Sequence, residues 1–146
     1  MIHAYYDATY LFKLQCIEAG SSQVKAHASG IAVISCAVHG RAEFVSACHR
    51  KVREGHATPQ HLRSMLDQFH LDCQKGAISL LPLSERMFER VERAYLTSLG
   101  VQPLRAADAL HLACAAEHGF REVYSNDRHF LAAAPHFGLK GINVIS

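Results

Sequence analysis

Short β-prone apolar runs alternate along this chain with stretches whose apolar residues recur at helical spacing, and that alternation confines it to folds in which helices cover a parallel sheet. The first run, Ile2-His3-Ala4-Tyr5-Tyr6, leads directly into Asp7. From Ala8 onward Leu11, Leu14 and Ile17 keep a helical period as far as Gly20, a residue suited to a helix C-terminus. Gly20-Ser21-Ser22 then reads as the start of a loop, and Ile31-Ala32-Val33-Ile34 as a buried strand. Past His39-Gly40, the residues Phe44, Val45, Cys48 and Val52 make an amphipathic stripe that ends near Gly55. Thr58-Pro59 joins an N-cap residue to a proline at the first helical position, which starts a helix through Leu62, Met65, Leu66, Phe69 and Cys73 to Gly76. The last two helices form a hairpin.

The pattern continues with a strand at Ile78-Ser79-Leu80-Leu81-Pro82, a helix from Ser84 to Leu99 closed by Gly100, and another from Ala106 to His118 closed by Gly119. Glu122-Val123-Tyr124 is a short strand, Arg128 to Ala134 a short helix before Pro135, and Gly141 to Ile145 a final strand. The expected architecture is an α/β three-layer sandwich, a mostly parallel central sheet flanked by helices. At 146 residues the chain suits one domain spanning 1–146, with a real core but too little length for two.

Four acidic residues occupy places where a strand should hand over to a helix: Asp7, Glu43, Asp108 and Asp127. Open parallel sheets gather the carboxyl ends of their strands along one edge, so residues far apart in sequence meet there. Four carboxylates in one pocket repel one another. Either some stay protonated or a hard divalent cation that prefers oxygen ligands neutralises them, which is the arrangement of a metal-dependent nuclease.

At these residues the chain resembles a known family. Tyr6-Asp7-Ala8-Thr9, Arg41-Ala42-Glu43-Phe44-Val45-Ser46-Ala47 continuing through His49 to Gly55, Leu104 to Ala113 with its Asp108-Ala109-Leu110-His111-Leu112-Ala113 core, and Tyr124-Ser125-Asn126-Asp127-Arg128 are similar, in order, to the motifs of PIN-domain ribonucleases. The nearest branch is the VapC-like toxins of bacterial toxin–antitoxin pairs. The stretch from Ser35 to Glu43 is longer than in many members. The resemblance implies a Mg2+- or Mn2+-dependent endoribonuclease that leaves a 5′-phosphate and a 3′-hydroxyl. Its acidic site would be Asp7, Glu43, Asp108 and Asp127, with Thr9 as the small hydroxyl residue and Ser125 and Asn126 flanking the fourth acid. Asp7 and Asp108 would coordinate metal, Glu43 directly or through water, and Asp127 from the outer shell or at a second metal. RNA as substrate, a cognate antitoxin and a homodimer follow from the same resemblance. The competing reading, from another class, is a catalytically silent PIN-like module that binds RNA or a protein.

Read singly, each acid has an ordinary structural role: Asp7 as a helix cap, Asp108 as a first-turn residue favoured by the helix dipole, Glu43 and Asp127 as solvated side chains. Their joint, ordered occurrence is what favours a site. Cys114 and His118 have the i, i+4 spacing of two zinc ligands, yet no second pair completes them, and His111, three residues after Asp108, is placed to support the site but reads more readily as a hydrogen-bonded core histidine. Arg128, beside Asp127, is the favoured phosphate contact, ahead of Arg50, Lys51 and Arg53 on a solvated helix face.

Composition excludes more than it assigns. A formal charge of +2, from 15 Lys+Arg against 13 Asp+Glu, is not that of a strongly basic nucleic-acid binder, so phosphate contacts must be local. Five cysteines with no C-x-x-C pair predict buried free thiols. No G-x-S-x-G turn, glycine-rich phosphate loop or second Asp two residues after Asp7 supports a serine hydrolase, a nucleotide fold or a dehalogenase-type phosphatase. With neither a leader nor an 18-residue apolar segment, the expected setting is cytoplasmic, with no membrane partner.

Overall fold

A computed structural model describes residues 2–100 and 103–146. Its elements, in chain order, are β1 (His3–Tyr6), α1 (Ala8–Gln15), α2 (Ser21–Ala28), β2 (Val33–Ala37), α3 (Gly40–Arg53), α4 (Pro59–Gln74), β3 (Ile78–Leu81), α5 (Glu85–Ser98), α6 (Ala106–Glu117), β4 (Glu122–Tyr124), α7 (Arg128–Ala133) and β5 (Lys140–Ile142). A 3-10 turn, Ala134–Phe137, links α7 to β5.

The five strands form one sheet in the order β3-β2-β1-β4-β5, with every pair parallel. The chain builds outward from β1 to β3 on one side, then crosses to β4 and β5 on the other. The reversal falls between β1 and β4, whose register pairs Tyr5 with Val123 and Tyr6 with Tyr124. Ligands in open parallel sheets bind at such a reversal, beyond the carboxyl ends of the strands.

Alternate residues of the strands face two cores, as a sheet covered on both faces requires. Tyr5, Ala37 and Val123 pack with α5, α6 and α7. Ala4, Tyr6, Ile34 and Cys36 pack with α1 to α4. Local signals set several helix ends. Asp7 caps α1, its side chain accepting the Tyr10 N–H, and Thr58 with His61 makes a capping box at the start of α4, where Pro59 costs no hydrogen bond. Gly40 lets α3 approach β2 closely, because a β-carbon there would overlap Cys36 Sγ and lie 3.3 Å from His111 Cε1.

Several expectations shift. Residues 21–28 form α2 rather than a loop; its fully buried side chains are only Ser21 and Val24, and no side chain caps it, so neither period nor cap marks it in the sequence. The second strand is Val33–Ala37, not Ile31–Ile34. Ser35, Cys36 and Ala37 are small but buried, and they pair with Ser79, Leu80 and Leu81. The strand therefore consumes much of the stretch before Glu43 that looked long. The expected first helix ends at Gln15 instead of Gly20, and the last strand at Ile142 instead of Ile145. All five cysteines are free; Cys36, Cys48 and Cys114 are buried, whereas Cys16 and Cys73 are half-buried. Among the described residues no helix is long and apolar enough to cross a membrane.

Candidate active site

Asp7, Glu43, Asp108 and Asp127 line one cleft of about 540 Å³ at the carboxyl edge of the sheet. Three elements of chain geometry bring them there. Asp7 follows β1 and Asp127 follows β4, the two strands on either side of the topological reversal. Glu43 sits in the first turn of α3, just beyond β2. Asp108 departs from the expectation that each acid follows a strand, since α6 follows α5. It still reaches the cleft, because α6 runs back toward the start of β4 and so presents its first turn at the strands' carboxyl edge.

Asp7 is buried, and both its oxygens are engaged. Oδ1 accepts the Thr9 hydroxyl at 2.7 Å and the Tyr10 N–H at 3.1 Å, and Oδ2 accepts the Ser125 hydroxyl at 2.5 Å. A carboxylate offers about four lone-pair sites, so one acceptor position on Oδ2 is left for a ligand. Burial raises the Asp7 carboxyl above its ordinary value, against the lowering effect of those hydrogen bonds. Burial also raises Asp108, with Arg105 opposing and Asp127 adding to the shift. For Glu43 burial alone would act upward, but the hydrogen bond from His111, helped by His39 and Arg105, holds it below the usual range.

Thr9 also lies 3.0 Å from Asn126 Oδ1. The hydroxyl has one proton for two acceptors, so both residues are satisfied when the Asn126 amide is turned to donate to Thr9. Ser125 is fully buried and takes the Asp127 N–H at 2.9 Å while donating to Asp7. Asp127 is divided: Oδ1 accepts the His129 and Phe130 N–H groups as the cap of α7, and Oδ2 faces Arg105 at 3.0 Å. Only one of its oxygens is turned to the cleft chemistry.

Arg128 is exposed and is not part of the cleft lining. Arg105 is, bridging Asp127 and, at 3.4 Å, Asp108. Its side chain is 79% exposed, so solvent competes for this cation and it is free to exchange partners. Arg50 and Lys51 also line the cleft; Arg53 does not. Cys114 is buried in the core and His118 is exposed, so no zinc pair forms between them.

Two histidines join the acids: His111, which the sequence favoured as a hydrogen-bonded core residue, and His39, which the sequence reading passed over. His111 is buried with Nε2 2.5 Å from Glu43 Oε1, and the His39 ring packs on it with centroids 4.1 Å apart. His39, Glu43 and His111 offer ligand atoms within 4.8 Å of one another. His39 Nε2 lies 2.9 Å from the Ala107 carbonyl, and its Nδ1 is the unpartnered buried side-chain polar atom among the described residues. The i, i+4 spacing of His39 and Glu43, which places both on one helical face, was the available signal.

This fold and its acid-lined edge define a parallel α/β protein that gathers carboxylates at its topological reversal. A profile of the PIN domain matches residues 4–135, and the chain belongs to that family. Solved structures share the fold at low identity. VapC20 of Mycobacterium tuberculosis, described as a sarcin-ricin loop cleaving toxin, is 16% identical with a TM-score of 0.67 over 89% of this chain and 94% of its own. FitAcB of Neisseria gonorrhoeae is 14% identical with a TM-score of 0.69 over 99% of this chain and 98% of its own. VapBC2 of Rickettsia felis, bound to a DNA fragment from the VapBC2 promoter, is 14% identical with a TM-score of 0.66 over 98% of each chain. No curated protein matches the chain.

Proposed function

We propose that this chain is a single PIN-like domain acting as a divalent-cation-dependent endoribonuclease, the toxin of a toxin–antitoxin pair. The observation that carries the reading is the convergence of Asp7, Glu43, Asp108 and Asp127 on one cleft, with more carboxylate than the side chains present neutralise. Family membership supports it, and so does the fold shared with toxins of such pairs.

The residues fit a hard cation. Asp7 keeps one acceptor position after three protein hydrogen bonds, Glu43 keeps Oε2, and Asp108 meets only Arg105 among the described residues. Oxygen donors of this kind suit Mg2+, with Mn2+ as substitute, and the raised carboxyls of Asp7 and Asp108 are those of acids whose burial is not fully offset by their present partners. When bound, such an ion supplies a water of lowered pKa and polarises a phosphoryl oxygen.

The chain's own part is positioning. Ser125, Thr9 and the Tyr10 N–H hold Asp7 in a fixed orientation. Capping of α7 fixes Asp127 Oδ1 and leaves Oδ2 to Arg105. Arg105, exposed beside two acids, can turn to a phosphate oxygen once those acids have another cation. Arg50, in the cleft lining, supplies local positive charge for the strand of RNA despite the near-neutral total charge.

The decisive experiment is cleavage of a total RNA pool by wild type and Asp108→Asn with Mg2+, Mn2+ or EDTA, mapping product ends. Metal-dependent products with 5′-phosphates, lost in the variant, are the expected result. A folded wild type, freed of any co-purified partner, that retains RNA without cutting it would point instead to the silent binding module. The homodimer is checked by light scattering, where a monomeric mass at micromolar concentration counts against it. An antitoxin should co-purify from the native source and suppress cleavage.

A further inference from the structure

We infer that His111 is a positioning residue for Glu43, and that a hydrogen-bond chain from the sheet through Tyr5 and His111 aims the free Glu43 oxygen into the cleft. The inference rests on the proposed cation site and adds to it a residue outside the four acids.

The chain of contacts is continuous. The Ala37 N–H donates to Tyr5 Oη at 2.9 Å, Tyr5 Oη lies 2.7 Å from His111 Nδ1, and His111 Nε2 lies 2.5 Å from Glu43 Oε1. Tyr5 is fully buried and its oxygen already accepts a backbone proton, so its own proton is directed at Nδ1. That assignment leaves the ring proton on Nε2, where it is donated to the carboxylate. Among the described residues the alternative partner of Nδ1 is Cys36 Sγ at 3.9 Å, too long to compete strongly.

The ring is also held by packing. His39 lies against it, Tyr5 meets it edge-on with centroids 5.9 Å apart, and Phe130 meets it edge-on at 6.4 Å. Asp7 and Glu43 differ in what they need from such support. Asp7 is short, buried and fixed by three donors. Glu43 has a longer side chain that is 34% exposed, and His111 is its close fixed partner; His39 stands at 3.9 Å. Ordering a Glu side chain costs rotamer freedom, and His111 meets that cost before any ligand arrives. With Oε1 pinned, Oε2 is the oxygen left to a cation.

The test is a Mn2+ titration by calorimetry of wild type, His111→Leu, His111→Gln, Tyr5→Phe, Glu43→Gln and the double variant Glu43→Gln/His111→Leu, with cleavage kinetics alongside. His111→Leu should bind Mn2+ about 10- to 100-fold more weakly. His111→Gln, which keeps an N–H donor, should recover most of the affinity, and Tyr5→Phe should lose several-fold. The double variant should bind no more weakly than Glu43→Gln alone, since the effect of His111 acts through that carboxylate. KM for RNA should change little while kcat falls. If His111→Leu does not fold, Tyr5→Phe and His111→Gln carry the comparison. Wild-type Mn2+ affinity in Tyr5→Phe and His111→Leu, with wild-type cleavage intact, would overturn the positioning role alone. A wild type that neither binds Mn2+ nor cuts RNA would overturn the proposed function and this inference with it.

Discussion

Along one wall of the cleft Lys13 and Lys51 both pair with Glu18, whereas Asp7, Glu43, Asp108 and Asp127 face one exposed arginine and two histidines. Both groups line the same cavity, and their carboxylates respond to burial in different ways. Glu18 is desolvated, yet Lys13 at 2.7 Å and Lys51 at 3.2 Å more than compensate, and its carboxyl is held below the usual range. Asp7 and Asp108 are desolvated without equivalent compensation and are pushed up. The lesson is that buried charge by itself does not mark a site. A closed ion-pair network stabilises the fold, whereas an open one is stabilised by what binds to it. Glu43 is the intermediate case, an acid of the open group closed on one side by His111.

The largest expected effect breaks the comparison most directly. Asp7→Asn or Asp108→Asn should lower kcat for RNA at least about 100-fold, while Glu18→Gln should leave it within about threefold. Single-turnover cleavage at saturating Mn2+ measures both. Equal losses in the three variants would show that the two groups act as one site.

Next in size is the response to metal. A ligand at about 100 times its Kd stabilises by roughly 2.7 kcal/mol, which for a protein of this length is about 5–10 °C in Tm. Mg2+ or Mn2+ should raise the melting temperature of wild type and of Glu18→Gln alike, and should leave Asp108→Asn unmoved. Calorimetric melting with and without EDTA reads the difference. A shift retained in Asp108→Asn would place the cation elsewhere.

How far the sequence alone reached is clearest at particular residues. Asp7, Asp127 and the cap of α4 were legible because strand exits and N-caps are local signals carried by one or two residues. The parallel sheet was legible from alternation, since β1, β3 and β4 are short apolar runs bounded by turns. α2 was not, because a helix that buries only Ser21 and Val24 has no apolar stripe to read. The end of β2 was missed because Ser35, Cys36 and Ala37 are buried by their neighbours rather than by their own hydrophobicity. The pairings of Arg105 with Asp127 and of His111 with Glu43 belong to the same class of miss. The Arg105–Asp127 bond spans 22 residues and the His111–Glu43 bond 68, distances over which spacing carries no information, whereas the i, i+4 pair of His39 with Glu43 and the i, i+3 pair of Arg105 with Asp108 were local signals left unread.

The pH dependence of stability should separate the two groups by sign. Asp7 and Asp108 have folded values raised above the unfolded value of about 4, so they favour the folded state fully below pH 4 and lose that contribution as pH rises through their folded values. Glu18 has a lowered folded value, so its contribution is full above the unfolded value of about 4.3 and is lost as pH falls through the folded one. Urea midpoints in EDTA should therefore show Asp108→Asn gaining on wild type at pH 7 but not at pH 3. Glu18→Gln should lose at pH 7, by about 1–2 kcal/mol, and converge with wild type near pH 3. Parallel curves for the two variants would remove the distinction between open and closed networks.

The smallest effect tests the closed network from within. Lys13 is buried, bonded to both Glu18 and the Ala19 carbonyl, whereas Lys51 is 29% exposed, lies 3.2 Å from Glu18 and sits 6.0 Å from the Phe12 ring centroid. A partly exposed pair of that kind is worth about 0.2–1 kcal/mol, and a cation as far as 6.0 Å above a ring centroid adds little. Lys51→Met should thus cost about 1–3 °C in Tm, less than Lys13→Met, and should change RNA affinity no more than about threefold. A Lys51→Met variant that melts like wild type yet binds RNA tenfold more weakly would move Lys51 out of the closed network. Its bond to Glu18 would then be a resting contact, exchanged for phosphate as Arg105 is expected to exchange Asp108 and Asp127, and the division between the two walls would lie between Lys13 and Lys51.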